Sequence, residues 1–196
     1  MQCIDRYNMA TYARIQSSAV DLLTAKTHHA YISPYDKELT QFPYVRIRNT
    51  TFKTCPHHQV HPNSICLNAP MRKTIETLAP RSYNLDVQGV TADEVSHLDE
   101  AQKVQVMMAS IHLTRDYANM NPIEICAVTK DSMLQVDVIR RGQYLGFKLR
   151  DQLVWVQVVN IVNGSNPGFE EEYYTTYRVV EATEIELVDG MAPFDY

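Results

Sequence analysis

Residues 59–73, QVHPNSICLNAPMRK, place a turn directly before a short apolar segment. Pro62 presets φ for the first central position of a turn, and Asn63 tolerates the backbone conformations that the next position requires. Residues 64–67, SICL, are apolar apart from the serine and are bounded by turn-forming residues. The stretch therefore predicts a tight turn that leads into a β-strand.

Two adjacent cations follow this predicted strand. Pro70 is expected to stop the strand shortly before Arg72 and Lys73. The whole chain carries a formal net charge of -5, so a basic pair at the end of a strand indicates a point where an anionic group docks. Arginine suits such a contact because its planar guanidinium binds a carboxylate in a bidentate way. The alternative is a solvated surface pair.

Charge is distributed unevenly along the chain. Residues 41–89 carry six basic and two acidic side chains, whereas residues 90–196 carry eight basic and seventeen acidic ones. This asymmetry predicts two lobes, of which the basic one is the better candidate for contact with an acidic protein. We expect a first lobe over residues 1–90, a connecting segment over 91–103 and a second lobe over 104–196.

The region before the connecting segment is rich in strand patterns. In residues 44–54, Val45 and Ile47 alternate with Arg46 and Arg48, which predicts one strand with apolar and basic faces. Further strands are expected at 64–67 and 83–87. A short amphipathic segment is expected over 18–25, and Ser33-Pro34 predicts a turn.

Helices are expected at only a few places in the rest of the chain. Thr91 with Glu94 three residues later fits a capping box, which predicts a short helix within the connecting segment. The sequence of residues 104–113 predicts a strand. Asn121 followed by Pro122 fits an N-cap with proline in the first turn, so a helix is expected to run from there to about Lys130.

A hairpin dominates the C-terminal third. Apolar and polar residues alternate over 145–149, residues 150–152 (RDQ) turn the chain, and residues 153–161 return with apolar side chains on both faces. The return strand is therefore expected to be central and buried. Residues 163–168 predict a loop, and two final strands are expected at 173–180 and 183–188. The pattern favours a β-rich α+β fold built from two small lobes.

A cluster of cysteine and histidine residues raises the possibility of zinc or of cysteine nucleophile chemistry. The residues concerned are Cys55, His57, His58, His61 and Cys66. Structural zinc sites usually combine two pairs of ligands from separate segments, and no second pair is evident here. A catalytic cysteine needs an accessible thiolate beside a histidine whose orientation is held by a third group, and no such group can be named. We expect exposed loop histidines, a buried Cys66, no metal site and no catalytic residue.

Several other classes of function are disfavoured. None of the six glycines belongs to the phosphate-binding arrangement G-x-x-x-x-G-K-[ST], and no apolar run reaches the length of a membrane-spanning helix. The basic region is small and the net charge is negative, so nucleic acid is not the expected partner. No secretory signal is evident and the four cysteines form no C-x-x-C pair, which together predict a cytoplasmic protein.

Two runs in the chain also resemble a known family. Residues 59–73 and 141–161 (RGQYLGFKLRDQLVWVQVVNI) are similar, in order and separation, to the N-terminal domain of N-ethylmaleimide-sensitive fusion protein. Members of that family are AAA ATPases that disassemble SNARE complexes. The resemblance implies a double-ψ β-barrel lobe followed by an α/β-roll lobe. The N-terminal domain of valosin-containing protein has a similar build.

The resemblance also implies a binding site. In that family, basic residues in a groove between the lobes receive the acidic end of a SNAP adaptor, which is itself bound to the SNARE complex. By position this nominates Arg14, Arg72 and Lys73 as partner-binding residues. Arg115 corresponds to one of a pair of basic residues in the family, but Asp116 reverses the neighbouring charge.

The function expected from the resemblance is non-catalytic. The family's ATPase activity and its hexameric rings belong to AAA domains, which do not follow Tyr196 here. The chain is therefore expected to be a domain cut from a larger protein or a fold used without its motor. It should bind a SNAP-type adaptor, need no cofactor and reach membranes only through partners. The alternative is an accessory structural subunit of a larger assembly.

Overall fold

The computed structural model describes residues 11–15, 28–76, 84–109, 120–150, 152–164 and 175–192. Strands predominate and helices are few, so the β-rich α+β class predicted from the sequence is confirmed. The strands divide into a barrel formed within residues 11–90 and a sheet formed within residues 103–192. The predicted amphipathic segment 18–25 and the end of the predicted strand 104–113 lie outside the described residues.

The first group of strands closes into a barrel. Six strands follow one another around it in the order β1-β5-β2-β4-β3-β6, and β6 pairs with β1 to close the ring. The β1–β5 and β2–β4 pairs are parallel, whereas the other four pairs are antiparallel. The strands are β1 (Thr11–Ile15), β2 (Ala30–Ile32), β3 (Tyr44–Ile47), β4 (Thr50–Pro56), β5 (Ser64–Cys66) and β6 (Asn84–Val90).

Apolar side chains from all around the barrel fill its interior. In β3, Val45 and Ile47 are fully buried while Arg46 between them is only half-buried, as the alternation predicted. The same interior holds a cluster of apolar residues from the other strands and loops: Ile32, Leu39, Phe52, Ile65, Leu67, Leu85 and Val87. The turn predicted at Pro62-Asn63 is present, and Asn63 has a positive φ of 56°.

Residues 44–54 form a hairpin, so the single strand predicted there is wrong. Strands β3 and β4 pair with Ile47 opposite Thr50, which leaves Arg48 and Asn49 as the turn. Arg48 takes a φ of 57°, a left-handed conformation that an arginine rarely adopts. No glycine or proline marks this turn, and its one turn-forming residue, Asn49, is a weak signal within an otherwise strand-like run.

The Arg72–Lys73 pair lies on a helix, not at the end of a strand as predicted. Helix α1 spans Ala69–Glu76 and begins three residues after β5 ends. The Asn68 side-chain oxygen accepts a hydrogen bond from the Met71 N–H at 2.9 Å, as an N-cap residue does. Pro70 sits in the first turn, where a missing N–H costs nothing, so this proline helps to start a helix instead of only stopping a strand.

The connecting segment contains the predicted short helix. Helix α2 spans Ala92–Ser96, and Thr91 and Glu94 form a reciprocal capping box. Val95 is buried against Val90 and Val138, so this helix packs against residues from both groups of strands.

The second group of strands forms a four-stranded sheet in the order β12-β7-β10-β9, with a smaller pair β11-β8 beside it. Helix α3 covers one face of this sheet and contributes Ile125, Met133 and Val136 to its core. Its N-cap is Asn121, as predicted, but it continues to Val136 because no breaking residue intervenes before Asp137. The elements are β7 (Lys103–Ala109), α3 (Pro122–Val136), β8 (Val138–Arg140), β9 (Tyr144–Leu149), β10 (Gln152–Val162), β11 (Thr176–Arg178) and β12 (Glu184–Ala192).

The predicted C-terminal hairpin is confirmed. Strands β9 and β10 pair in antiparallel fashion with Leu149 opposite Gln152, so the turn falls where the sequence placed it. Strand β10 lies between β7 and β9, and consecutive residues Val154, Trp155 and Val156 are all buried. None of the helices within the described ranges is long and apolar enough to cross a lipid bilayer.

The close contact between Gly146 and Pro70 should make Gly146 intolerant of a side chain. A β-carbon at Gly146 would lie 2.5 Å from Pro70 Cγ and 3.2 Å from two atoms of the Trp155 ring. We expect Gly146→Ala to lower the free energy of unfolding by about 1–3 kcal/mol, a usual cost of overpacking. Urea unfolding followed by tryptophan fluorescence would measure it.

Gly164→Ala is the matched control. There the nearest atom to an added β-carbon is Nε2 at the flexible end of the Gln102 side chain, at 2.8 Å, and it can move aside. Equal stability losses in the two variants would contradict a rigid contact between helix α1 and strand β9.

Acid should destabilise the fold through a buried histidine. Burial, and secondarily the charge of His29, lowers the pKa of His28 to about 4 from 6.5. The folded state therefore disfavours the protonated ring, so stability should fall as the pH drops from 6.5 towards 4. The loss should be on the order of 3 kcal/mol, since one pKa unit corresponds to about 1.4 kcal/mol.

The contribution of His28 to the loss of stability at acid pH is measured by comparing the unmodified chain with histidine variants. His28→Asn suits the positive φ of 50° at this position and should show a flatter decline in stability between those pH values. The exposed His58 provides the control substitution His58→Asn, which should not flatten the decline as His28→Asn does. A parallel profile for His28→Asn would contradict the assignment.

Candidate functional site

Helix α1 presents the predicted basic pair at the junction between the barrel and the sheet. Its inner side chains, Met71 and Ile75, are buried in the barrel core. On another side of the helix, the buried Thr74 hydroxyl oxygen accepts a hydrogen bond from the Tyr144 backbone N–H of β9 at 2.9 Å. The helix is therefore held by both groups of strands, which fixes the direction of its remaining face.

Arg72 and Lys73 lie on that remaining face and are both half-buried. Arg72 Nη1 donates to the Leu67 carbonyl oxygen at 2.9 Å, which orients the guanidinium along the start of the helix. An arginine whose rotamer is already restrained loses less entropy when it binds a carboxylate. The structure thus brings this pair together on a rigid support.

The structure describes only part of the other two predicted site residues, Arg14 and Arg115. The backbone of Arg14 pairs with Ser64 of β5 on one side and with Asn84 of β6 on the other. Arg14 therefore lies beside the start of the strand that leads into α1, although its side chain is outside the description. Arg115 lies outside the described residues.

A cluster around Asp137 links the barrel to the sheet electrostatically. Lys53 Nζ of β4 lies 2.6 Å from Asp137 Oδ2, and the Tyr44 hydroxyl of β3 donates to the same oxygen at 2.9 Å. Asp137 ends helix α3 with a φ of 66°. One cation of the basic lobe is thus paired with an acid from the other lobe, so the surplus of basic residues counted in the sequence overstates the exposed charge.

Arg140 makes a second polar link across the same junction. This side chain is only 1% exposed, and its Nε donates to Thr50 Oγ1 of β4 at 2.7 Å. Its own backbone N–H donates to the Gln143 side-chain oxygen at 3.1 Å. Arg140 therefore serves as an internal support and is not available to a partner.

A cleft of about 350 Å³ opens between the barrel, helix α2 and strand β11. Its apolar part comes from Val90, Val95 and Leu98. Polar groups line the rest: Arg46, Asn49, Thr51, Glu94, Thr175 and Thr176. Sequence reasoning placed Arg46 on the outer face of its strand but did not name it as a site residue. The folding of α2 against β3 and β11 turns that outer face into a cleft wall.

The cysteine and histidine cluster is dispersed. Cys66 is fully buried, as expected, whereas Cys55 is partly accessible. The His57 ring stands edge-on to Tyr31 with 5.4 Å between ring centroids, and His58 contacts Tyr35 in a similar way at 6.3 Å. Across the described ranges, no group of three or more potential ligands comes together in a geometry that could hold a metal ion.

Comparisons with known proteins do not assign the chain to a family. No protein-family model matches the sequence, and no curated protein is significantly similar to it.

The Asp137 cluster should be visible in the titration of Tyr44. Burial, followed by the hydrogen bond and the charge of Asp137, raises the pKa of Tyr44 to about 12 from 10.0. The folded state therefore favours the protonated phenol, and the stability it contributes should be lost as the pH rises from 10 through 12. Asp137→Asn removes the charge and leaves only an uncharged amide oxygen to accept from the phenol, so the pKa of Tyr44 should move back towards 10.

Tyr44→Phe serves as the reference because it leaves the Lys53–Asp137 pair in place. The Tyr44 titration is the difference in tyrosinate absorbance between chains with and without Tyr44→Phe. That difference is measured once in the unmodified chain and once in the Asp137→Asn background. At neutral pH, Asp137→Asn should cost about 1 kcal/mol, the usual scale for a half-buried ion pair with a charged hydrogen bond. An unchanged Tyr44 titration in Asp137→Asn would refute the cluster.

Proposed function

We propose that this chain is a non-catalytic, adaptor-binding domain similar to the N-terminal domain of the SNARE-disassembling ATPases. In this proposal the barrel is a double-ψ β-barrel and the second unit is an α/β roll. The strand order supports the first assignment, since two parallel pairs are embedded among four antiparallel ones. Helix α3 against a four-stranded sheet supports the second.

The proposed contact is electrostatic and lies at the junction between the lobes. The observation that carries it is the seating of helix α1, which holds Arg72 and Lys73 on a support shared by the barrel core and strand β9. A partner that offers two or more carboxylates would gain bidentate hydrogen bonds to the guanidinium. The acidic part of a SNAP-type adaptor has that chemistry, and through it the chain would reach a SNARE complex.

Arg46 is a separate point of contact in the proposal. It lines the cleft beside α2 together with an apolar patch, so an acidic partner segment that also carries an apolar side chain would fit there better than a free anion. Arg14 stays a candidate because its strand adjoins β5, while the contribution of Arg115 rests on the family resemblance alone. The chain would then act on the cytoplasmic side of membranes through its partner, with no catalysis of its own and no cofactor.

Charge reversal at Arg72 should weaken adaptor binding. We expect Arg72→Glu to raise the Kd for a purified SNAP-type adaptor by about tenfold or more, since like charges brought together at an interface cost several kcal/mol. The affinity of the unmodified chain should also fall as salt is raised, because the contact is partly exposed and screened. Isothermal titration calorimetry at two salt concentrations would measure both effects.

Lys37→Glu is the charge-matched control, because Lys37 is an exposed cation on the loop before the barrel strand β3. It changes the net charge equally and should leave the Kd within about twofold. Urea unfolding of Arg72→Glu would verify the fold, since Arg72 also bonds to Leu67. Adaptor binding that survives Arg72→Glu and Lys73→Glu together would overturn the site. Absence of binding by the unmodified chain would favour the accessory structural role.

A further inference from the structure

A second groove lies between helix α3 and strand β12, and it shares no residue with helix α1 or the Arg46 cleft. Its volume is about 420 Å³. The wall formed by α3 includes Ile123, which is 77% exposed and is among the most exposed large apolar side chains of the described residues. The remaining lining consists of four apolar residues and three charged ones: Pro122, Cys126, Ile185 and Leu187, and Lys103, Glu184 and Glu186.

Strand β12 gives this groove two chemically different sides. Ile185 and Leu187 pair with Val104 and Val106 of β7 and pack against the same core as helix α3. Because successive side chains of a strand point to opposite faces, Glu184 and Glu186 project away from that core. The edge of the sheet is therefore apolar on its core-facing side, whereas its other side carries Glu184 and Glu186 together with Lys103.

The acidic side retains a negative charge after its internal pairs are counted. Glu186 accepts hydrogen bonds from Gln105 at 2.6 Å and from Lys103 at 3.0 Å, so its charge is balanced locally. Glu184 is exposed, and the described residues include no ion pair for it. Asp189 adds another exposed carboxylate farther along the strand.

Strand β12 also lies at the end of its sheet. Among the described strands it has a neighbour on one side only, β7. An edge strand offers backbone N–H and C=O groups to an added strand, and side-chain pockets on either face then select the sequence that binds.

We infer that this edge binds an extended segment of a partner protein, which adds as a strand beside residues 184–187 and alternates apolar with basic residues. Its apolar side chains would enter the groove against Ile123, Ile185 and Leu187. Its basic side chains would lie on the other face, beside Glu184. The requirement for alternation follows from the two-residue period of a strand on an edge whose two faces differ.

A second copy of this chain is a poorer occupant. Pairing of β12 with the same strand of another molecule would place the acids at 184, 186 and 189 close to their counterparts, and like charges across a strand pair are destabilising. A basic partner segment instead turns the same carboxylates into attractive contacts.

Synthetic peptides of about ten residues, a usual upper length for a strand, can test this inference on the whole chain. Three labelled peptides would be compared by fluorescence anisotropy. One alternates valine with lysine, the second has the same composition in two blocks, and the third alternates valine with glutamate. We expect the alternating valine–lysine peptide to bind tightest, and methylation of every second backbone nitrogen to abolish its binding, since ladder donors are then lost.

Variants of the chain locate the binding. Glu184→Lys should weaken the valine–lysine peptide by about fivefold, because an attractive cross-strand pair becomes repulsive. Ile123→Lys should weaken it by about tenfold, through lost apolar contact and added repulsion. Asp131→Lys, at an exposed position of helix α3 outside the groove, changes the net charge equally to Glu184→Lys and should bind like the unmodified chain.

Several outcomes would overturn the inference. Equal binding of the block and alternating peptides would indicate simple charge attraction, and so would equal weakening by Asp131→Lys and Glu184→Lys. Tighter binding of the valine–glutamate peptide would contradict the assigned charge preference. A dimer in sedimentation equilibrium that Ile123→Lys dissociates would assign the groove to a second copy. None of these results depends on whether a SNAP-type adaptor binds at Arg72.

Discussion

The seating of helix α1 is the constraint on which the rest of the junction depends. Met71 and Ile75 belong to the barrel core, while Thr74 accepts the Tyr144 N–H and Pro70 lies against Gly146. A helix of this length is not stable alone, so packing on two sides supplies its stability. Its outward face then has one direction, and that face carries Arg72 and Lys73. Any binding role of the basic pair follows from this arrangement.

Electrostatics at the junction stabilises the structure and also underlies the proposed contact. Among the cations that make residues 41–89 basic, Lys53 forms an ion pair with Asp137. Arg140, from the acidic half of the chain, is buried and donates a hydrogen bond to Thr50. Charge counted along the sequence therefore describes the lobes only coarsely. The proposed contact draws instead on Arg46, Arg72 and Lys73. The ion pair and the hydrogen bond across the junction therefore join the barrel to the second group of elements through polar contacts.

Predictions succeeded where the physical cause is local. The capping box of Thr91 and Glu94, the N-cap at Asn121 and the β9–β10 turn each depend on residues only a few positions apart. Predictions failed where a local signal has two meanings or is missing. Pro70 suits both the end of a strand and the first turn of a helix, and only the Asn68 cap selects the second. The turn at Arg48 carries no glycine or proline, so it became evident only from the pairing of β3 with β4.

The same division applies to the candidate sites. Residue type and the family resemblance nominated Arg72 and Lys73, and alternation placed Arg46 opposite the barrel core, since side-chain periodicity is a property of each strand by itself. The sequence alone thus determined the β-rich class, most turns and caps, and which cations were worth considering. Only the tertiary structure decided that Arg46 lines a cleft, that Lys53 is ion-paired and that β12 borders a partly apolar groove. Each of these depends on residues more than forty positions apart meeting in space, and such contacts leave no periodic trace in a single sequence.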